Sequence, residues 1–346
     1  IFNAYTYIIS SSKSSMHIHN YVCMTLRWGI VTAGKISSDF VNAFNTYPNV
    51  GDQAIVAVAA RDKAKATEFA KIYNIAKVFD SYQSLARSND IDVAYIGALN
   101  PDHYELTKLF LENGKHVLCE KPFTMNYKQS LSLINLAKKK NLFVMEAVWS
   151  RFCPAYLDLE KDIDSGKLGT TLSIYTNQCR VTLYIKYGGS ALLDIGIYPL
   201  QLAQYVFKEE PTRVTAVGAL NEFDVDSTET IILEYSGGRR AVLNTHARLQ
   251  LWNNATIYGS KGRITVSILQ VNKSVNYPFH ESKLPYNFEN SAGLVYEAIE
   301  VARCIKAGRY LYAVPVSVVV LGPSQIIEIL AAPGGGVLPA IKSMKN

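Results

Sequence analysis

The sequence predicts an α/β protein: an N-terminal doubly wound parallel sheet, then an α+β domain with an open-faced, mostly antiparallel sheet. Three observations lead there. Apolar runs of strand length alternate with amphipathic stretches from Thr25 to Met145. Near Trp149 the texture changes to alternating strands with hairpin-like punctuation. The chain has 346 residues, enough at roughly 150 per domain for two domains with their own cores.

The run Leu26-Arg27-Trp28-Gly29-Ile30-Val31 is strand-like and ends in a Gly-containing turn before a helix over about 34–47. Residues 54–60 form a near-continuous apolar run, as parallel strands buried on both faces do. A helix over 63–73 follows, then a strand at Asp92-Val93-Ala94-Tyr95-Ile96. Asn100-Pro101-Asp102 starts the next helix, with Pro near its first position, and Asn113-Gly114 stops it. A strand at His116-Val117-Leu118-Cys119, a helix over 126–140 and a strand at Leu142-Phe143-Val144-Met145 complete a sheet read as six short strands. Beyond it the sequence predicts helices at 154–165 and 193–207 and strands around 214–219, 229–235, 241–247, 254–259 and 262–266. Ser236-Gly237-Gly238 and Gly259-Ser260-Lys261-Gly262 mark hairpin turns.

The expected organisation is a nucleotide-binding domain over 24–148 and a substrate and dimerisation domain over 149–310. Residues 1–23, rich in Ser, Tyr, Ile and His and without acids, are expected to be a disordered leader or an extension foreign to the fold. Residues 311–346, with Gly334-Gly335-Gly336, are expected to be an atypical C-terminal segment.

Composition narrows the function. Hydrophobic residues make up 49% and charged residues 18%, which excludes bulk disorder. The net charge of +6 arises from 35 basic and 29 acidic side chains without a dense basic block, so no nucleic-acid partner is expected. Five cysteines with no C-x-x-C pair argue against a disulfide framework and a zinc site, so no metal is expected. No apolar run approaches ~18 residues, so no membrane span is expected. The expected location is a reducing compartment, the cytoplasm.

Four groups of residues point to chemistry. The turn after the first strand, with Gly29, Thr32, Ala33, Gly34, Lys35 and Ile36, resembles a dinucleotide fingerprint whose middle glycine is replaced by Val31 or Ala33. Its backbone N–H groups and helix N-terminus suit a pyrophosphate. After the second strand, Ala59-Ala60-Arg61 offers a guanidinium where an NAD enzyme usually has an acid; this favours the 2′-phosphate of NADP, although Asp62 stands next door. Glu120-Lys121-Pro122 falls at the carboxyl end of the fifth strand, the ligand side of such a sheet. Asp194 and Tyr198, four apart, share one helix face.

Together with Glu146-Ala147-Val148-Trp149-Ser150-Arg151-Phe152, Asn290-Ser291-Ala292-Gly293 and Tyr296-Glu297-Ala298, these motifs resemble the glucose–fructose oxidoreductase/inositol dehydrogenase (Gfo/Idh/MocA) family. The resemblance implies a Rossmann domain, an open-faced sheet domain and an active site between them. It also implies a site lysine from Glu-Lys-Pro, here Lys121, and, in one subgroup, a tyrosine four residues after an aspartate, here Tyr198 after Asp194. A homodimer paired through the open sheet is implied too. Between Arg180 and Gly189 the chain is shorter than its relatives.

The expected reaction takes a hydride from a carbinol carbon of a sugar or diol (a trans-dihydrodiol, or C1 of D-xylose) to NADP. A free phenol with a pKa of about 10 is a poor base, so Lys121 is expected to favour the phenolate of Tyr198 while Asp194 orients substrate hydroxyls. The alternatives are Lys121 as the base, or a non-catalytic NADP-binding sensor. Glu120, Asn100 and His103 are expected on the cofactor side, and Trp149 and Arg151 at the domain junction against the substrate.

Overall fold

The computed structural model describes residues 25–179, 189–267, 282–310 and 337–338. The expectations for 1–23, for the stretch 180–188 and for nearly all of 311–346 lie outside these residues.

The first half alternates strands and helices: β1 (Leu26–Val31), α1 (Lys35–Thr46), β2 (Gln53–Ala59), α2 (Lys63–Tyr73), β3 (Lys77–Phe79), α3 (Tyr82–Arg87), β4 (Val93–Ile96), α4 (His103–Glu112), β5 (His116–Glu120), α5 (Tyr127–Lys140) and β6 (Val144–Ala147). The sheet order is β3-β2-β1-β4-β5-β6 and every pairing is parallel. The order reverses between β1 and β4, which opens a crevice at the strands' carboxyl ends. All four residues of β4 are buried, because helices cover both faces. On one face Trp28 donates its indole N–H to Gln53 Oε1 at 2.9 Å, and Phe40 of α1 stacks on Tyr95 with ring centroids 3.8 Å apart. On the other, Leu85, Ile96, Phe110 and Phe123 pack together. The sequence reading names neither β3 nor α3. Three residues with an exposed Lys77 carry no periodic signal, and α3 is held by a capping box between Ser81 and Ser84.

The second half contains α6 (Pro154–Asp164), β7 (Thr171–Cys179), a π-helical turn (Leu192–Gly196) running into α7 (Ile197–Phe207), β8 (Arg213–Leu220), β9 (Asp226–Glu234), β10 (Arg240–His246), β11 (Asn254–Gly259), β12 (Gly262–Ser267), α8 (Val295–Lys306) and β13 (Val337–Leu338). Its sheet has the order β12-β11-β7-β10-β9-β8-β13, with β7 and β10 parallel and the other pairs antiparallel. β7 is not among the strands expected from the sequence, although it sits well inside the sheet. Of its inward positions only Ile174 is strongly apolar, while Thr176 and Gln178 are polar, so the alternation is hidden.

Helices α6 and α7 cover one face through Tyr156, Leu159, Leu202 and Val206 against Ile231, Leu233, Leu243 and Ile257. The opposite face carries Tyr175 and Tyr258 edge to face at 5.9 Å, an Asn177–Asn244–Thr230 hydrogen-bonded row and an exposed Val217. The chain then returns to the first sheet. Asp39 of α1 accepts hydrogen bonds from the backbone N–H of Asn287 (2.8 Å) and Phe288 (2.9 Å) and from the Ser291 hydroxyl (2.6 Å). Behind that anchor α8, within the stretch expected to form the second domain, packs Val295, Ala298 and Val301 into the cluster of Trp28, Phe40 and Tyr95.

Candidate active site

The turn between β1 and α1 meets its geometric demand in an unexpected way. Thr32, at φ +85°, occupies the left-handed region that glycine favours, so the fingerprint's departure falls on Thr32 and not on Val31 or Ala33. Side-chain bonds hold it there. Its hydroxyl donates to the Gly97 carbonyl at 2.7 Å and accepts from Ser37 Oγ at 3.2 Å. Gly34 caps α1 with no side-chain hydrogen bond, and Gly34 and Lys35 are exposed, so the helix N-terminus faces outward with its N–H groups available. Gly29 does not belong to this turn. It is buried in β1, paired with Ala57 and Ala94, where a Cβ would meet Ile91 Cδ1 at 2.7 Å. There its missing side chain makes room for Ile91.

At the end of β2, Arg61 is exposed. Its neighbour Asp62 accepts from the backbone N–H of Ala64 (2.9 Å) and Lys65 (3.3 Å) as the N-cap of α2. The acid is thereby turned to its own helix.

Lys121 follows β5 and reaches the other half of the molecule: its Nζ donates to the Asp194 carbonyl at 3.0 Å. Asp194 lies in the π-helical turn, and its Oδ1 accepts from Asn100 Nδ2 at 3.3 Å. One turn on, the Tyr198 hydroxyl accepts the Trp149 indole N–H at 3.1 Å, a bond the sequence reading lacks. Trp149 is seated by the returning segment, since a Cβ on Gly293 would come within 2.9 Å of its ring. The structure thus brings Asn100, Lys121, Trp149, Asp194 and Tyr198 to one half-buried junction.

Three further expected site residues are held by contacts of their own. His103 is fully buried, with Nδ1 2.7 Å from the Pro122 carbonyl and Nε2 3.0 Å from the Ala98 carbonyl. Burial lowers its pKa. Its ring ties the Lys121–Pro122 loop to the loop after β4, away from the surface. Glu120 is buried beneath Lys121, accepting from Tyr95 Oη at 2.7 Å and from the Lys121 backbone N–H at 3.3 Å. Arg151 lies against α7, with Gln204 Oε1 at 3.3 Å and the Tyr205 ring centroid 5.1 Å from its Cζ.

Below this junction is a buried acid, Glu297 of α8, for which the sequence reading has no role. Neither of its carboxyl oxygens has a hydrogen-bond partner among the described residues. Burial, and secondarily the Glu120 carboxyl, holds its pKa well above the ordinary carboxylate range; burial also raises that of Glu120, against the pull of Tyr95 and Lys121. The described residues contain no group of three or more His, Cys, Asp or Glu able to hold a metal, and no helix long and apolar enough to cross a membrane.

The model of the oxidoreductase family with an NAD-binding Rossmann fold matches residues 26–148, and that of the GFO/IDH/MocA C-terminal domain matches 156–265. The chain belongs to the GFO/IDH/MocA oxidoreductase family. A trans-1,2-dihydrobenzene-1,2-diol dehydrogenase of Xenopus laevis is 43% identical over 302 residues, covering 82% of this chain and 91% of the relative. The Homo sapiens protein of the same name is 36% identical over 300 residues, covering 82% and 90%. Among solved structures, a levoglucosan dehydrogenase in complex with NADH and levoglucosan shares the fold at a TM-score of 0.71, with 20% identity, covering 82% of this chain and 90% of the other. A 3-ketoreductase of Actinomadura kijaniata in complex with TDP-benzene and NADP has a TM-score of 0.71 and 22% identity, covering 88% and 96%. The family assignment and the two-sheet architecture agree with the sequence reading.

The buried acids make stability depend on pH. An acid whose folded-state pKa is raised holds its proton where the unfolded chain has lost it. Stability therefore falls as pH climbs from the ordinary carboxyl range toward the folded value, by about 1 kcal/mol per pH unit. Glu297→Gln removes that dependence for one group. The melting temperature of the variant relative to the wild type should rise by several degrees between pH 5 and pH 8. A difference that does not change with pH would show that Glu297 is not held neutral.

Proposed function

We propose that this oxidoreductase is an NADP-dependent dehydrogenase that oxidises a carbinol carbon of a trans-dihydrodiol or of a sugar, with C1 of D-xylose as the sugar case. The observation that carries the reading is the junction itself: Lys121 anchored on the Asp194 carbonyl, with Tyr198 one turn further and its oxygen held by Trp149. The names of the relatives support the diol class, and the levoglucosan complex of a fold neighbour supports the sugar class.

NADP⁺, when bound, supplies the hydride acceptor. The residues present fit it: an exposed, uncapped α1 N-terminus at Gly34 for the pyrophosphate, and Arg61 for the 2′-phosphate, with Asp62 engaged as the cap of α2. Thr32, Ala33, Lys35 and Ile36 complete that turn. Tyr198 Oη takes the proton of the substrate hydroxyl. A hydrogen bond donated to that oxygen favours the phenolate, and Trp149 Nε1 supplies one. One Lys121 N–H is used on the Asp194 carbonyl, which leaves two to meet a substrate oxygen. Asn100 orients the Asp194 carboxylate, which receives a second substrate hydroxyl. Arg151 holds α7 in place through Gln204 and Tyr205.

The partner we assign is a second copy of this chain, paired through the open face of the second sheet, where Tyr175 and Val217 are exposed. The cellular location we assign is the cytoplasm, since Cys119, Cys153, Cys179 and Cys304 are free thiols. Sedimentation at micromolar concentration should give the mass of two chains; a single-chain mass would remove the dimer.

The chemical test is NADPH formation at 340 nm with trans-dihydrodiols and D-xylose. Tyr198→Phe should lower kcat by about 10²–10⁴-fold with cofactor affinity unchanged. In the same series Arg61→Asp should weaken NADP(H) at least ~10-fold more than NAD(H). A phenylalanine variant with near-normal kcat would make Lys121 the base, and equal losses for both cofactors would remove Arg61 as the phosphate reader. No turnover with any of these substrates, in a protein that binds NADPH, would favour a cofactor sensor.

A further inference from the structure

The π-helical turn that carries Asp194 needs an anchor, because a π turn is a rare local geometry that its own hydrogen bonds favour weakly. Its first N–H groups are met from two directions. Leu193 N–H is accepted by Ser190 Oγ at 3.0 Å and Asp194 N–H by the Ser190 carbonyl at 2.9 Å. Leu192 N–H is met from the sheet, by Asp226 Oδ2 at the start of β9, at 2.7 Å. Asp226 and Glu229 are both buried, at 4% and 1% exposure. Glu229 faces Thr245 across the β9–β10 pair, and the Thr245 hydroxyl donates to its Oε2.

Glu229 Oε1, by contrast, has no donor among the described residues. Two ionised carboxylates side by side in a dry interior repel, and each loses its hydration. Glu229 is therefore the neutral acid: burial first, and then its hydrogen bond and charge contact with Asp226, push its pKa up to about 10. A protonated Glu229 carboxyl has a hydroxyl with which to meet its neighbour Asp226.

We propose that Asp226 and Glu229 are positioning residues for the reaction: a hydrogen-bonded carboxyl pair, backed by Thr245, that fixes the turn presenting Asp194 and Tyr198 to Lys121. This rests on the site reading given under Proposed function. Neither residue touches substrate or cofactor in this assignment. Their effect passes through the backbone N–H of Leu192, and a displacement of about 1 Å at a reacting group is enough to cost roughly 10²-fold in rate.

The test compares Asp226→Ala, Glu229→Ala and Glu229→Gln by hydrogen exchange of peptides spanning 190–198, by NADPH affinity, and by kcat and KM with whichever substrate turns over. The glutamine amide can still donate to Asp226, so Glu229→Gln should stay within about threefold of the wild type in every readout. Both alanine variants should speed exchange in 190–198 by about tenfold or more. They should lower kcat by about 10- to 100-fold with NADPH affinity unchanged. Wild-type exchange in 190–198 for the alanine variants, or a glutamine variant as impaired as the alanine one, would overturn the proposal. If Glu229→Ala does not fold, Glu229→Leu, which fills the space and cannot donate to Asp226, takes its place with the same expected losses and the same overturning result. Exchange reports on the anchor even where no tested substrate turns over, which separates failure of this inference from failure of the assigned activity.

Discussion

The hydrogen bond from Lys121 Nζ to the Asp194 carbonyl is the contact on which the rest of the site depends. It joins the carboxyl end of a parallel strand to a turn that belongs to the other sheet. Both partners need separate support before they can meet. On the lysine side, His103 ties the Pro122 carbonyl to the loop after β4, and Glu120 accepts the lysine's own backbone N–H. On the other side, Ser190 and Asp226 take up the first N–H groups of the π-helical turn. A half-buried ammonium is costly without acceptors, so the fold spends several buried polar groups on holding one cation in place.

A second chain of contacts links the nucleotide side to the base. Asp39 of α1 binds the backbone at Asn287 and Phe288 and the hydroxyl of Ser291. That segment leads to Gly293, whose missing side chain makes room for Trp149, and Trp149 holds the Tyr198 oxygen. The helix whose N-terminus suits a pyrophosphate is therefore tied by direct contacts to the group assigned as the base. The returning segment and α8 thus serve the site, although they lie late in the sequence.

Much of this was legible in the sequence because the parallel strands are buried on both faces and read as continuous apolar runs. The positions of Lys121, Asp194 and Tyr198 followed from strand ends and helical spacing. What was hidden has physical reasons. β7 carries polar residues on its inward face, and β3 is too short for a pattern. Gly29 resembles a fingerprint glycine but serves packing against Ile91, while the left-handed position falls on Thr32, whose two hydroxyl contacts hold a conformation that threonine disfavours. Nothing in a single sequence shows that both ring nitrogens of His103 face carbonyls. The raised pKa of Glu229 and Glu297 is not visible in the sequence, since burial, and not residue type, sets it.

The central claim is that the chemistry takes place where Lys121 meets the turn of Asp194 and Tyr198. Lys121→Met keeps the length of the side chain and removes the charge and the donors, so it tests the claim most directly. With NADP⁺ and an active substrate, its kcat should fall by about 10²-fold or more, and the basic limb of its pH–rate profile should move upward as the phenol loses its stabilising cation, while NADPH binding persists. A methionine variant that turns over at the wild-type rate with an unchanged pH profile would contradict the account.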